Sequence, residues 1–524
     1  MKKLKTVLSF LLVTIMVCTV VFAFAGCKVD EKPSGSGSST DPPSGKSEPK
    51  EVKWMLYAYG TVKLESHLKI YQKLEELANV KIVPIPVPSD VYKERFNITV
   101  ISDDVPDIVS VRSVGKTANE LGEKGIFVAL NNHYDKLPNF KKYIDKFADS
   151  VPHMTANDNN VYSFPLVRDN APIPAHGIVL REDLLTKQGI DINSIETVED
   201  LYKAFAALKD ANDGKPVIGA RNGLENLNLI AQTFGTRFMI PRYDKELKKY
   251  ISPVDDPNLK SAVEYCAKLY KDGILHPDWA SMSDEIWEQS VASGELLVFF
   301  DNMQQIAQRN ADLRVDNPDA KLAAILPPKY NGIRYEWGGS AKLDNNRGTA
   351  ISSKTKALDE ALMINDWLFS DEGVEFVVFG EEGKTFRRRD DGTNEYIVDS
   401  DWETGTGPLP TEYGSGQNVN FLRVMDESLF NDWHIYGKNK NEMEPYCKVY
   451  AEQIYTYILP PQKFNQEQVE KLKELQTPLD TAFQENLVLF INNSKSMDEW
   501  DNFMQTLKDM RIDELVALYN ETLE

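Results

Sequence analysis

Apolar positions along the chain fall into three regimes. An apolar run from Val7 to Gly26 follows Lys2, Lys3 and Lys5. From Lys28 to Lys50 that pattern vanishes, and Val29 is the only aliphatic residue among Ser, Thr, Gly, Pro, Asp, Glu and Lys. Such a stretch cannot bury enough surface to fold and reads as a tether. Beyond it, segments of two periods alternate. Val52 to Tyr59 is an apolar, aromatic run suited to a buried strand, and from Val62 to Ala78 the residues Leu64, Leu68, Tyr71, Leu74 and Leu77 recur at helical spacing. Val80 to Ile85 and Asp107 to Val111 read as further strands, with a helical pattern from Val91 to Ile101 between them. This βαβαβ opening predicts an α/β fold with a mainly parallel sheet. Thr197 to Asp200 reads as a capping box opening a helix through Leu208, and Ser496 to Glu499 as another through Met510. From Phe464 to the end almost everything is helical by pattern, which predicts a helical cap at the carboxyl terminus.

The amino-terminal order of charge, apolar run, small residues and cysteine is that of a secretion signal. Roughly 20 apolar residues also cover a bilayer core, so an uncleaved anchor is the alternative. Phe24-Ala25-Gly26-Cys27 resembles the bacterial lipobox, with Phe24 where leucine is usual. That resemblance implies a leader over 1–26 that is removed, a diacylated Cys27, and residues 27–50 as the tether. The protein would then be exported and lipid-anchored to the outer face of the cytoplasmic membrane, since more than one acyl chain gives stable attachment.

The body, 51–524, is too long for one compact core and predicts two or more lobes. Outside the leader, 56 Lys and Arg stand against 80 Asp and Glu, a net charge near −24. Nucleic acid is thereby excluded as a partner, and solubility of an exported protein explains the acidity. Apart from Cys18 in the leader and Cys27, only Cys266 and Cys447 occur, so no disulfide framework, CxxC pair or zinc spacing is written here; a single Cys266–Cys447 bridge stays open.

An exported enzyme is the rival class and should leave a reactive constellation. There is no G-x-S-x-G elbow and no H-E-x-x-H, and the six histidines never fall at metal-ligand spacing. Gly383-Lys384-Thr385 is like the end of a phosphate loop, but Val378 stands where its first glycine belongs. Among 80 acidic residues a glycosidase-like carboxylate pair can always be imagined, so none is informative. The expectation is a chain without catalytic residues, cofactor or metal.

Several segments carry a family resemblance. Asp104-Val-Pro-Asp107-Ile-Val, Tyr162-Ser-Phe-Pro165 and Ile178-Val-Leu-Arg-Glu-Asp-Leu184 resemble the first lobe and crossover of family 1 extracellular solute-binding proteins. Gly273-Ile-Leu-His-Pro-Asp278 and Ala292-Ser-Gly-Glu-Leu-Leu-Val-Phe-Phe-Asp301 resemble the second lobe of the longer, lipoprotein-type oligosaccharide binders. Trp367-Leu-Phe-Ser-Asp-Glu-Gly373, Phe379-Gly-Glu-Glu-Gly383, and the ending from Met497-Asp-Glu-Trp500 to Leu518-Tyr-Asn520 follow in the family's order. The resemblance implies a periplasmic-binding-protein-like type II α/β fold: two lobes, a discontinuous chain and a helical carboxyl-terminal cap. Residues 51–175 with 345–395 would form the first lobe, and 176–344 with 396–524 the second. It implies a monomer that captures a small polar solute, an oligosaccharide by length and aromatic content, and delivers it to an ABC permease by hinge closure. A sensory or structural surface lipoprotein of the same fold is the further alternative. Pro172 and Pro174 sit at the implied first crossing, and Gly338, Gly339 and Gly348 at the second; ordinary loop punctuation accounts for the same letters.

Sugar binding needs aromatic faces for pyranose rings and planar polar side chains for paired hydroxyls, placed at strand ends facing the partner lobe. Tyr57 and Tyr59 end the first strand, Ser110 and Arg112 end the strand from Asp107, and Arg168 and Asp169 precede the first crossing. By resemblance, Asp301 and Asn302 begin the second lobe's ligand loop and Trp337 lies by the second crossing; Trp287 is a further stacking candidate. For each aromatic, core packing is the alternative. Asp107 is expected to hydrogen-bond its turn, and Trp54, Trp367 and Trp500 to be core. Asp210-Ala-Asn-Asp-Gly214 looks like a shortened calcium loop without the full twelve-residue pattern, so a plain turn is expected. Arg511 stands where the family's last helices more often have glycine. Tyr413 to Gln417, Trp402 and Trp433 fall in a region without a readable pattern.

Overall fold

The first strand, Lys50–Ala58, is apolar throughout its middle because both of its faces are covered. Val52, Trp54 and Leu56 join one core and Met55 the other, as expected of an inner strand of an α/β sheet. The computed structural model describes residues 48–58, 68–102, 104–112, 114–169, 176–339, 341–398, 409–414, 418–426 and 434–523. The expectations for the leader, Cys27, the tether, Tyr59, Pro172, Pro174, Trp402, Trp433 and residues 415–417 lie outside them.

From Pro49 to Glu524 the chain forms one unit containing two main sheets. The larger has six strands in the order Val424–Asp426, Phe164–Asp169, Leu343–Ile351, Ile108–Ser110, Lys50–Ala58, Val80–Pro88. Its pairs are parallel except those of Leu343–Ile351, which is antiparallel to both neighbours. The smaller sheet departs from the parallel expectation: His176–Arg181 lies between Val298–Asn302 and Leu322–Ile325 and is antiparallel to both. A strand covered on both faces is a continuous apolar run whichever way its neighbours point, so the pattern does not encode direction. Residues 424–426, placed with the second lobe above, add a strand to the larger sheet by pairing Val424 with Val167.

Where Leu343–Ile351 crosses Phe164–Asp169 the register shifts between Asp344 and Thr349. Gly348 sits in that bulge, and a Cβ there would lie 1.6 Å from the Phe164 carbonyl oxygen. Only glycine lets the two backbones approach this closely.

The helices follow their caps. Val198–Ala211 opens with a complete capping box: Thr197 Oγ1 accepts from the Asp200 amide at 3.1 Å, and Asp200 accepts in return from the Thr197 amide. Ser496 instead caps a short 3₁₀ turn, Met497–Glu499, ahead of Trp500–Asp509. Gln466–Ile491, Trp500–Asp509 and Ile512–Glu521 make the helical end. Arg511 takes the left-handed conformation, φ 70°, that glycine takes more readily. It is held there by Glu474 at 2.6 Å and Glu514 at 2.8 Å.

Asp107 does not bond its own turn as expected but ties distant segments together: its carboxylate accepts from the Lys53 amide and from Thr355 Oγ1. Trp54, Trp367 and Trp500 are buried. Residues 210–214 form the turn closing helix Val198–Ala211, with Asp213 and Gly214 left-handed. Cys266 and Cys447 are both buried and unbridged.

Candidate functional site

The smaller sheet supplies one wall of a cavity through a buried ion pair. Asp301, 3% exposed at the end of Val298–Asn302, accepts from Arg221 Nε at 2.7 Å and Nη2 at 3.1 Å. The Arg221 guanidinium lies 4.8 Å from the centroid of the Trp287 ring, and that of Arg309 lies 5.9 Å from the same ring. Trp287 also meets Phe299 edge-on. Trp287 is therefore a buried support for two arginines, 1% exposed, and not the ligand-stacking surface expected of it; cations over an indole face account for its position.

The segment held by Arg221 turns at Gly223, φ 52°, into helix Leu224–Thr233. Leu227, Ile230 and Ala231 face the core. Glu225, Asn228, Leu229 and Gln232 recur at i, i+3, i+4 and i+7, so they share one face, and all four line a cavity of about 310 Å³. Asn226 locks the turn: its side chain accepts from the Asn222 amide and donates to the Phe300 carbonyl.

The larger sheet supplies the facing wall with Arg168 and Arg347. Arg168 is 5% exposed. Its Nη2 donates to Asp344 at 3.3 Å, while Nε and Nη1 have no hydrogen-bond partner. Asp344 also faces Arg347 Nε at 3.5 Å. Gly338 and Gly339, paired with Tyr457 and Ile458, close the cavity together with Tyr455, whose hydroxyl donates to the His176 carbonyl. His176 stands at the rim, open on one side and crowded by protein on the other. That crowding holds its imidazole below the usual range; Arg221 and Arg347 add to the effect, and Asp301 and Glu225 oppose it.

A second cavity, about 340 Å³, shares Gln232 and Arg237 with the first and is lined further by Arg242, Arg334, Tyr335 and Trp337. Gly235, φ 77°, admits Tyr335 here, whose ring would come within 2.3 Å of a Cβ.

Of the residues expected from sequence, Arg168 and Asn302 line the first cavity and Trp337 the second. Trp337 is 1% exposed and packs edge-on against Tyr450 and Tyr455. Asp301 acts one step back, through Arg221. Asp169 is buried and paired with Lys146 at 2.6 Å, and it lines neither cavity. Tyr57, Ser110 and Arg112 gather at the ends of their strands and likewise line neither. The Tyr57 ring packs on Tyr92 and Arg112, and the Ser110 carbonyl accepts from Tyr92. Sequence reasoning missed the polar face of Leu224–Thr233, Arg237, His176, Arg347 and Tyr455. The one available signal was the recurrence of Glu225, Asn228 and Gln232 on a single face of an otherwise apolar helix.

A cavity whose walls come from both sheets and consist of amides, guanidinium groups and aromatic edges is built to hold a polar solute. A family profile described as bacterial extracellular solute-binding protein matches residues 66–375. The chain belongs to this family. Among curated solute-binding relatives, the polygalacturonan/rhamnogalacturonan-binding protein YtcQ of Bacillus subtilis is 22% identical over 409 residues, covering 76% of this chain and 78% of that one. The fructooligosaccharide ABC transporter substrate-binding protein FusA of Streptococcus pneumoniae is 26% identical over 248 residues, covering 43% and 44%. Two solved solute-binding structures share the fold. The alginate-binding protein AlgQ2 without calcium ion superposes with a TM-score of 0.71 at 20% identity, and an HMO-binding, ABC-transporter-associated solute-binding protein from Bifidobacterium longum infantis with 0.73 at 16%. Each alignment covers 91% of this chain and 98% of the other. The architecture is thus the two-lobed, periplasmic-binding-protein-like α/β fold expected from sequence.

If Asp301 positions the cavity wall, Asp301→Ala should leave Arg221, half-buried, with Glu288 at 3.9 Å as its remaining carboxylate among the described residues. The expected cost is about 2 kcal/mol, read as a lowered unfolding midpoint in denaturant titrations. A loss below about 1 kcal/mol, the range of surface pairs, would show that the pair does not anchor the wall.

Proposed function

We propose that the protein is the receptor of an ABC importer, which captures an oligosaccharide between its lobes and presents it to a membrane permease by hinge closure. The observation that carries this reading is the cavity itself, with Arg168 and Arg347 from one sheet facing Asn302, Glu225, Asn228 and Gln232 from the other side. Planar amide and guanidinium groups match pairs of sugar hydroxyls, and Trp337, Tyr335 and Tyr455 offer aromatic surface for ring faces. The named ligands of the relatives, polygalacturonan and fructooligosaccharides, support the same class. In this reading the protein binds without turnover, acts as a monomer and needs no cofactor. Gly338 and Gly339 serve as part of the hinge, and Cys27 carries the lipid.

Thermal melts of the full chain in detergent, with a panel of oligosaccharides, monosaccharides and peptides, test the reading. A ligand bound only by the folded state adds about 2.7 kcal/mol at a hundredfold excess over its dissociation constant. The expected result is a saturable upward shift with one glycan class and no consumption of that glycan. A shift with peptides alone would refute the oligosaccharide reading, and consumption of the glycan would make the protein an enzyme.

Anchoring has its own test. Bacteria grown with an alkyne analogue of palmitate should label the wild-type chain and not Cys27→Ala. A wild-type chain that stays in the membrane fraction unlabelled would point to the uncleaved apolar run as anchor.

A further inference from the structure

The walls of the two cavities hold unpartnered donors that neutral sugars do not fully answer, and the first cavity also holds an excess of positive charge, whereas in the second Asp244, Glu246 and Glu336 stand beside its cations. Four side-chain atoms on cavity-lining residues are buried without a hydrogen-bond partner: Nε and Nη1 of Arg168, Nε of Arg334 and Nε1 of Trp337. All four are N–H donors. A sugar hydroxyl donates as readily as it accepts, whereas a carboxylate only accepts and carries the charge opposite to a guanidinium.

Charge points the same way. The chain as a whole carries −21, yet the first cavity is lined by Arg168, Arg237 and Arg347 against the single carboxylate Glu225. Asp344 offsets part of this by facing both Arg168 and Arg347. Arg237 is not so offset. Its guanidinium donates to Gln232 Oε1 at 3.1 Å and to the Met239 sulfur, and among the described residues no carboxylate is recorded in an ion pair with it. Burial lowers its affinity for the proton. Arg237 is half-buried, and shielding part of a cation from water without a counter-ion costs free energy, which an incoming anion would recover.

Resting on the oligosaccharide-receptor reading, we propose that the captured glycan is acidic. Its uronate carboxylates engage Arg168 in the first cavity and Arg237 where the two cavities meet. Trp337 and Arg334 donate to further acceptor oxygens of the same chain in the second cavity. Residues of one linear ligand thus run from one cavity into the next, past the shared Gln232 and Arg237.

The test is titration calorimetry of the full chain in detergent with short oligosaccharides of galacturonate, mannuronate and glucuronate, each beside its carboxyl-reduced neutral form. At least one uronate should bind tenfold or more tightly than its reduced form, as expected for charge-assisted hydrogen bonds. Its affinity should also fall as salt rises from about 50 to about 300 mM. Arg168→Gln should weaken the acid tenfold or more while changing affinity for neutral glycans less than threefold, roughly the size of an ordinary neutral hydrogen bond. Arg168→Lys, which keeps the charge and loses the separate Nε and Nη1 donors, should fall between. Neutral forms bound as tightly as the acids, or an Arg168→Gln protein that still prefers the acid, would overturn the proposal and leave the oligosaccharide receptor standing. Binding of no glycan of either kind would overturn both readings.

Discussion

The wall of the first cavity rests on a carboxylate that does not itself line it. Asp301 and Arg221 form a bidentate pair, Asp301 nearly buried and Arg221 lying on Trp287. At about 4 Å and an effective dielectric near 20, such a pair attracts by about 4 kcal/mol. Desolvating each ion costs several kcal/mol, so the net contribution to stability is small. Its value lies in position. The pair ties segment 221–223 to the end of Val298–Asn302, and that segment starts the helix whose polar face lines the cavity. Trp287, pressed between the two arginines and Phe299, makes the arrangement rigid.

The opposite wall is fixed by a different constraint, the close approach of two strands. Gly348 lets Leu343–Ile351 bulge against the Phe164 carbonyl, and the bulge falls between Asp344 and Thr349, beside Arg347. Asp344 then faces both Arg347 and Arg168. Bulges re-aim side chains, and here the strands concerned carry two guanidinium groups on the cavity wall. One wall is thus set by charge and the other by backbone packing. The two meet across Gly338–Gly339, where the smallest side chains stand between the sheets.

Much of the fold was legible because its signals are local. The apolar run at Val52 needed only burial on both faces, and Thr197 and Asp200 needed only each other. Asp107 was not legible in this way, since its carboxylate binds Lys53 and Thr355, both far from it in sequence. Strand direction in the smaller sheet was not legible, since His176–Arg181 reads the same in either orientation. Arg168, expected from its place before the first crossing, and Asn302, expected by resemblance, both line the first cavity. For Trp287 sequence left stacking and core packing both open, because the two arginines that cover it come from positions 221 and 309, far from it in sequence. The polar face of Leu224–Thr233 reads alone like the solvent side of an amphipathic helix; only the tertiary structure turns it toward Arg168 and Arg347. Family membership came from motif order, whereas the proposal of an acidic ligand rests on unsatisfied donors, which no sequence pattern displays.

Hydrogen–deuterium exchange of the full chain, with and without a glycan that raises its melting temperature, tests the central claim most directly. The account predicts slowed exchange in residues 164–169, 222–237 and 338–347, the segments whose side chains line the cavities. It predicts little change in the groove between helices Lys69–Ala78 and Asp371–Phe379, whose lining is charged but belongs to the larger sheet's side alone. Slowing confined to that groove, or to the cluster of Tyr57, Ser110 and Arg112, would place the ligand elsewhere and contradict the account.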